Sequence, residues 1–426
     1  MMAGRANSSS GVQKKKAGHI KDLPDDILVD IMSRLPVESV LECKLVCKKL
    51  QKLLHGKRSF FTYMHVSRQL NLLHGGGDAD KLDMGLLFGF TTDHTWQGSI
   101  FYGGSYNDKI NTDETYEYKK TLKKVRHPSM HHQLLQEYLV GSCNGVVCLG
   151  RYHHRCVDPI YVYNPATGEY VNLPKLIIPK GTDFPCLARG FGYVPSTNEY
   201  KVVRIFYPTH GAIGEVQVYT LGSGCGWRTK STPFPWLNFE APAACVDGSM
   251  YWFDDSIVYA FDLANEEMHT VPSLPCHNLG LGSLPDDNFG VVILRGKLCY
   301  FHQTLSAPHM EIWSLMKIDM KESWCKDFSI LYEKQEQSYV EFFWPILVTR
   351  NDEIIFIKDF QTLHCYNSKT TTWKEIVAKD PHFHVESTWV IYHVNTFVSL
   401  KTLGEKSSKK SCRSKMIGRL NVGSLA

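Results

Sequence analysis

The sequence predicts a small all-α module followed by a large all-β propeller of about six blades, with seven blades or a β-sandwich as alternatives. Three observations predict it. Residues 23–54 carry apolar side chains at helical spacing, and residues 82–402 break into short runs rich in aromatic and branched residues divided by Gly, Pro, Asn and Asp. Two kinds of hairpin then recur along that second stretch about every fifty residues, the length of a four-stranded blade.

Residues 1–18, with Ser8-Ser9-Ser10 and Lys14-Lys15-Lys16, are polar and without period, which predicts a disordered leader. The helical module follows over 19–62. Pro24 suits a helix start because the donor it lacks is orphaned there anyway, and Asp25 and Asp26 meet the positive end of the dipole. Ile27, Leu28, Ile31 and Leu35 share one side of that helix, and Asp25, Asp26, Asp30 and Arg34 take the other. Pro36 cannot continue the first helix but can open a second, whose apolar positions Val40, Leu41, Leu45, Val46, Leu50, Leu53 and Leu54 alternate with Lys44, Lys48, Lys49, Gln51 and Lys52. So small a module buries little surface alone, and its apolar stripe wants a partner. Phe60, Phe61, Tyr63 and Met64 suggest a helix or strand leading outward, and His74-Gly75-Gly76-Gly77-Asp78 marks a linker within 63–81.

The first recurring hairpin has a tight turn and a following strand: Asn144-Gly145 before Val146–Leu149, Asp247-Gly248 before Ser249–Trp252, Arg295-Gly296 before Lys297–Tyr300, and Asn351-Asp352 before Glu353–Phe356. Asn-Gly and Asp-Gly reach the positive φ that two-residue hairpins need. The second unit pairs a strand with a closing strand that bears an aromatic or Met: Ile160–Asn164 with Tyr170, Val216–Tyr219 with Trp227, Val258–Asp262 with Met268, Ile312–Leu315 with Trp324, and Leu363–Asn367 with Trp373. These units make five blades, and residues 82–127 a degenerate sixth. Asp93–Trp96 and the run from Trp389 through Val398 then fall near the ring's closure, where a C-terminal strand completes the first blade. Gly222-Ser223-Gly224-Cys225-Gly226 reads as a hairpin tip before Trp227, and residues 403–426, with Lys406, Lys409, Lys410, Arg413, Lys415 and Arg419, as a basic disordered tail.

Two resemblances stand on these residues. Leu23-Pro24, Ile27-Leu28 with Ile31, Ser33-Arg34-Leu35-Pro36-Val37 and Val46-Cys47-Lys48, in that order, resemble the F-box over 19–62; Leu50 stands where that family usually has tryptophan. For the β-rich part, kelch repeats are the nearest general pattern, but their paired glycines are absent. Val140–Cys148, Tyr163–Glu169 and Gly190–Tyr193 through Asn198–Val203 resemble instead the plant F-box-associated domain. The resemblance implies a non-catalytic adaptor. Leu23, Pro24, Ile27, Leu28, Ile31, Leu35, Pro36, Val40, Leu45, Val46, Cys47 and Leu50 would dock on a Skp1-like protein, cullin-1 would be reached through Skp1, and the β domain would hold a target protein for ubiquitin transfer. A Skp1-bound protein outside any ligase, and an enzyme built on a propeller, are the other readings.

For the target, irregular loops on a rigid scaffold are the places to look. Those are Arg151–Arg155, Tyr207–His210 and Phe234–Leu237, with Tyr152, His153, His154, Arg155, His210 and Trp236 as the candidate contacts. Aromatic stripes such as Tyr251-Trp252-Phe253 and Phe342-Phe343-Trp344 read more simply as packing between blades.

Composition narrows the partners. Against 43 acidic residues stand 47 basic ones, a net charge of +4, which argues for neither nucleic acid nor an anionic membrane surface. Thirteen cysteines sit singly in apolar runs and no signal peptide is seen, so reduced thiols in the nucleus or cytoplasm are expected. No apolar run of about eighteen residues occurs. Neither Cys43 with Cys47 nor Cys143 with Cys148 is joined by a second pair at zinc spacing, and the adjacent pairs His131-His132 and His153-His154 would point to opposite faces of a strand, so neither metal nor cofactor is expected.

Overall fold

The helices begin where proline and acid predict. In the computed structural model, α1 spans Asp25–Met32 behind Pro24 with Asp25 and Asp26 in its first turn, and α2 spans Val37–Val46 behind Pro36. The structure describes residues 23–409 apart from 55–59, 75–84, 93–98, 104–121, 125–136, 154–155, 181, 183–185, 210, 238–242, 255–256, 275–286, 305–307, 319–320, 333–340, 350, 378–384 and 406–407. The leader, the glycine run at 75–77, Asp93–Trp96, His131-His132 and most of the basic tail lie outside these residues. The chain divides into two units, 1–68 and 69–426.

The expected second helix is two helices. Cys47 takes an extended conformation, φ −155° and ψ 158°, and α3 (Lys48–Leu54) starts afresh. Val46 and Leu50, four residues apart, would share a face of an unbroken helix. The break separates them: Leu45 and Val46 stay 71% exposed, whereas Leu50 and Leu54 turn into the core at 3%. Lys49 ties α3 to the start of α1, its Nζ donating to the Leu23 carbonyl at 2.8 Å and lying 3.1 Å from Asp25 Oδ1.

The linker expected from residue 63 is also helical in its first part. Helix α4 runs Phe60–His74 because its inner face has a place to go. Phe61 and His65 are buried beside the other helices, with His65 Nε2 2.9 Å from the Leu35 carbonyl. One turn on, the Arg68 guanidinium donates to the Asp30 carbonyl at 2.9 Å, to Asp30 Oδ1 at 2.5 Å and to the Ser33 hydroxyl. That fork also explains why Asp30 is held below the usual carboxylate range, the Arg68 hydrogen bond contributing most.

The second unit is six antiparallel sheets. Blade one is Gly85–Thr92, Ser99–Gly103 and Leu122–Lys124, and its innermost strand comes from the far end of the chain, Val385–His393, in register Gly85↔His393 through Gly89↔Trp389. Blade two is Glu137–Cys143, Val146–His153, Cys156–Asn164 and Glu169–Asn172, with Ser408–Lys409 as a fifth, outermost strand. Blade three is Cys186–Val194, Glu199–Tyr207, Gly214–Thr220 and Trp227–Phe234; blade four is Ala244–Val246, Ser249–Asp254, Ile257–Asp262 and Glu267–Thr270. Asn288–Leu294, Lys297–Thr304, His309–Ile318 and Lys321–Leu331 make blade five, and Phe343–Val348, Glu353–Lys358, Thr362–Asn367 and Thr372–Val377 make blade six. The innermost strands abut in order, blade one to two and on to six, and six returns to one. The ring is closed by the C-terminal strand, as expected from Trp389–Val398.

Every turn singled out in the sequence lies on one side of this ring. Asn144-Gly145, Asp247-Gly248 and Arg295-Gly296 all have positive φ at both residues, as a two-residue hairpin demands. They join the first to the second strand of their blades, and the Gly222–Gly226 tip joins the third to the fourth, so antiparallel order puts all of them on the same face. The segment after His393 crosses that face. Thr396 Oγ1 donates to the Asn144 carbonyl at 2.6 Å, Asn164 Nδ2 donates to the carbonyls of Thr396 (3.1 Å) and Val398 (2.7 Å), and Ser399 Oγ donates to Glu169 at 2.8 Å. A side chain on Gly145 would strike Thr396, so that glycine is needed for room as well as for its φ of 81°. The expected tail boundary at 403 moves outward for the same reason: Glu405 Oε1 accepts the Gly222 amide at 2.8 Å and the Tyr219 hydroxyl at 3.2 Å, and the backbone of Ser408–Lys409 pairs in antiparallel register with Tyr170 and Glu169.

Between blades the filling is aromatic, as the stripes predicted. Phe234, Trp252 and Phe261 join one buried cluster and Phe301, Phe343 and Phe356 another. Phe342 is the exception, 40% exposed.

Candidate functional site

Each unit offers one surface. In the helical unit the twelve candidate docking residues separate by burial. Leu28 and Val40 are fully buried and Leu50 nearly so, forming the core with Val29, Met32, Leu54 and Phe61. These three hold the helices together and present nothing to a partner, a correction to the docking set that follows from which side of each helix faces inward. Leu23, Ile31, Leu35, Pro36 and Cys47 are partly covered, and Pro24, Ile27, Leu45 and Val46 are exposed. Phe60 and Tyr63, which helical periodicity did not single out as contacts, are exposed at 68% and 71%. A core already filled, with large apolar side chains left over outside it, is the arrangement of a docking module.

In the propeller the second-to-third and fourth-to-first connections share the face opposite the tight turns. The loops at 151–155, 207–210 and 234–237 are brought together in that sense: the second strands of blades two and three end at His153 and Tyr207, and the last strand of blade three at Phe234. His154, Arg155 and His210 lie outside the described residues, as do the side chains of Tyr152 and His153. Trp236 is half-buried, its ring 5.2 Å from that of Tyr207, and it packs against the cluster shared by blades three and four that holds the buried Phe234 and Leu237. Nothing in Phe-Pro-Trp-Leu as a string distinguishes an exposed aromatic loop from one folded inward.

Residues 87–400 match the family described as the F-box associated beta propeller domain, and residues 20–62 match the F-box domain. The chain belongs to the F-box associated beta propeller family. An F-box protein of Arabidopsis thaliana is 26% identical over 428 residues, 89% of this chain and 92% of its own length. An F-box/LRR-repeat protein from the same plant is 26% identical over 395 residues, 87% of this chain and 80% of its own.

Buried ionic contacts tie blades two, three and four of this F-box propeller to one another, at Asp158 between two and three and at Glu266, in a turn-face hairpin, between three and four. Arg204 Nη1 donates to Asp158 Oδ1 at 2.9 Å with both side chains about 95% covered (4% and 5% exposed), and the Trp227 ring lies 3.9 Å from the guanidinium. Across blades three and four, Glu266 is desolvated, which alone would raise its pKa, yet Arg228, Lys201 and Lys230 at 2.6, 3.0 and 3.2 Å hold it down to about 2.

Ser142 Oγ and His393 Nδ1 are 2.8 Å apart and Asn395 Oδ1 is 3.2 Å from His393 Nε2, a serine–histidine pair of the type used in nucleophilic catalysis. Its setting is structural. Burial holds His393 down to about 4, so it is a poor base, and the pair bridges the innermost strands of blades one and two.

His65 in the helical unit is likewise held to about 4 by burial. Both histidines are neutral when folded, and between pH 6.5 and about 4 the unfolded chain binds the extra proton. Stability therefore rises with pH across that window and is lost on acidification, each histidine contributing up to about 3 kcal/mol. Denaturant midpoints of both units are expected to fall between about pH 7 and pH 4.5, and midpoints that stay level would refute the neutral, buried histidines.

Proposed function

We propose that this F-box protein is the substrate-recognition subunit of a Skp1–cullin–F-box ubiquitin ligase, with no catalytic step of its own. The observation that carries it is the exposed apolar set of the F-box, Pro24, Ile27, Leu45 and Val46, left outside a completed core. An apolar group of that size suits the centre of an interface with a Skp1-like protein. The propeller's loop face is the part available to hold a target, since the turn face is crossed by the chain's own 394–405 segment. Its contribution to ubiquitin transfer is proximity, which raises the effective concentration of the reacting groups. We place it in the nucleus or cytoplasm, where such ligases act on reduced proteins.

The test is capture of purified Skp1 and cullin-1 by the whole chain. Leu23→Ala with Pro24→Ala, or Leu45→Ala with Val46→Ala, is expected to weaken Skp1 binding by roughly 1 to 4 kcal/mol with an unchanged melting temperature. Leu50→Ala is expected to act differently, destabilising the F-box itself by about 2 to 5 kcal/mol through a cavity. Unaltered Skp1 affinity in both double variants would sink the assignment. Skp1 without cullin-1 would favour a Skp1-bound protein outside any ligase.

A further inference from the structure

Among the described residues of the propeller, six large apolar side chains are substantially exposed: Ile177 (89%), Ile213 (69%), Ile257 (52%), Leu331 (72%), Phe342 (40%) and Phe360 (49%). All six lie on one face. Ile177 is in the connection from blade two to blade three, Ile213 precedes a third strand and Ile257 opens one, Leu331 closes a last strand, Phe342 precedes a first strand, and Phe360 joins a second strand to a third. The turn face has none among the described residues. A one-sided apolar surface of this kind marks an interaction site.

The most exposed of the six is also the most deliberately held. In the loop Pro174-Lys175-Leu176-Ile177-Ile178-Pro179-Lys180, the Leu176 amide donates to Asp158 Oδ2 at 2.8 Å, and Trp227 Nε1 donates to the Pro174 carbonyl at 2.7 Å. Leu176 packs against Leu187 and Phe206. The loop is thus nailed down at Pro174 and Leu176 by the buried Asp158–Arg204 pair and its indole lid, and the next residue, Ile177, stands out from a rigid base. Rigid presentation of an apolar side chain lowers the entropy lost on binding. Lys175 and Lys180 flank it, both exposed, and neither meets a carboxylate among the described residues. Around blades five and six, by contrast, the acids of this face are already satisfied: Asp287 by His302 at 2.9 Å, Glu341 by Lys358 at 2.7 Å, and Asp359 by the Phe342 amide at 2.8 Å.

From this we propose that the loop at 174–180 is the anchor of the target site, and that it takes an acidic segment of the target protein whose apolar side chain packs on Ile177 while its carboxylates meet Lys175 and Lys180. The inference rests on the receptor reading above. Charge complementarity selects the occupant. The chain's own tail, with Lys406, Lys410, Arg413, Lys415 and Arg419, would bring cations to cations, and so would the same loop of a second copy.

A random-peptide library selected on the full chain, with the affinity of enriched peptides measured on variants, tests it. Enriched peptides are expected to combine an aliphatic or aromatic residue with Asp or Glu and to weaken as salt is raised. Ile177→Asp, and separately Lys175→Glu with Lys180→Glu, are each expected to lower their affinity by about tenfold or more. Because these side chains are exposed, melting temperature and Skp1 capture are expected to stay as in the parent chain. Peptides lacking acids, an empty selection, or peptides that bind Ile177→Asp as tightly as the parent would overturn the proposal. In that last case the receptor reading stands with its site elsewhere; loss of Skp1 capture in the parent chain would instead remove the receptor reading. Concentration-dependent dimerisation abolished by Ile177→Asp would show a second copy as the occupant and overturn it as well.

Discussion

A chain truncated immediately before Val385 is expected to lose the folded propeller altogether. Val385–His393 is the innermost strand of blade one and contacts both its neighbours in the ring, so removing it leaves Gly85–Thr92 as an open edge at the channel and six blades without closure. Truncation after His393 is a graded version. It keeps the strand and removes Val394, Phe397, Val398 and Leu400, which are 6%, 6%, 6% and 0% exposed. Burying side chains of that size is worth roughly 1.5 to 3 kcal/mol each, so their sum rivals the about 5 to 15 kcal/mol that typically separates folded from unfolded chains. The hydrogen bonds from Asn164 and to Asn144 go with them. Near-UV circular dichroism through a thermal ramp is the measurement. The chain ending before Val385 should show no cooperative transition, the chain ending at His393 a much lowered one, and the chain ending at Glu405 one close to the parent. A parent-like melt from the shortest chain would mean that the first blade closes by itself.

The second large effect is expected at Asp158→Ala. Arg204 is left buried without its carboxylate and the Leu176 amide loses its acceptor, and removing one partner of a buried pair costs about 3 to 5 kcal/mol. The companion variant sets the sign. Asp158→Leu together with Arg204→Met takes away both charges, and replacing a buried pair by apolar groups is commonly near neutral, so the double variant should recover much of what the single one loses. Chemical denaturation of the parent, both single variants and the double completes the cycle. A loss below about 1 kcal/mol for Asp158→Ala would show that water reaches the pair and that it does not hold the 174–180 loop.

Turn chemistry was the most legible part of this protein. Positive φ at Asn144-Gly145 or Asp247-Gly248 is a property of two adjacent residues, so the hairpins and their spacing, and from them the six blades, could be read along the string. Helix starts at Pro24 and Pro36 were legible for the same reason. The break at Cys47 was not, because lysine, cysteine and valine are all tolerable inside a helix, and only the pull of Leu50 and Leu54 into a core explains why α2 stops. The half-burial of Trp236 was not legible, because an aromatic beside proline has the same local signature whether it faces solvent or Tyr207, and α4 was legible only as a helix or strand at 60–64, its run to His74 being set by an inner face that answers to Asp30 and Leu35, thirty and more residues away.

By itself, then, the sequence determined the order of modules, the family, the hairpins and their period, since each depends on residues within a few positions of one another. Tertiary structure alone decided which of the candidate docking residues are core, that residues 394–405 and 408–409 belong to blades two and three, and that Ile177 and five other apolar side chains share a face opposite the tight turns. Those facts are set by antiparallel order within sheets and by contacts between residues hundreds of positions apart, such as the 252 from Thr396 to Asn144. No local pattern encodes them, because exposure is a property of what packs against a side chain and not of the side chain itself.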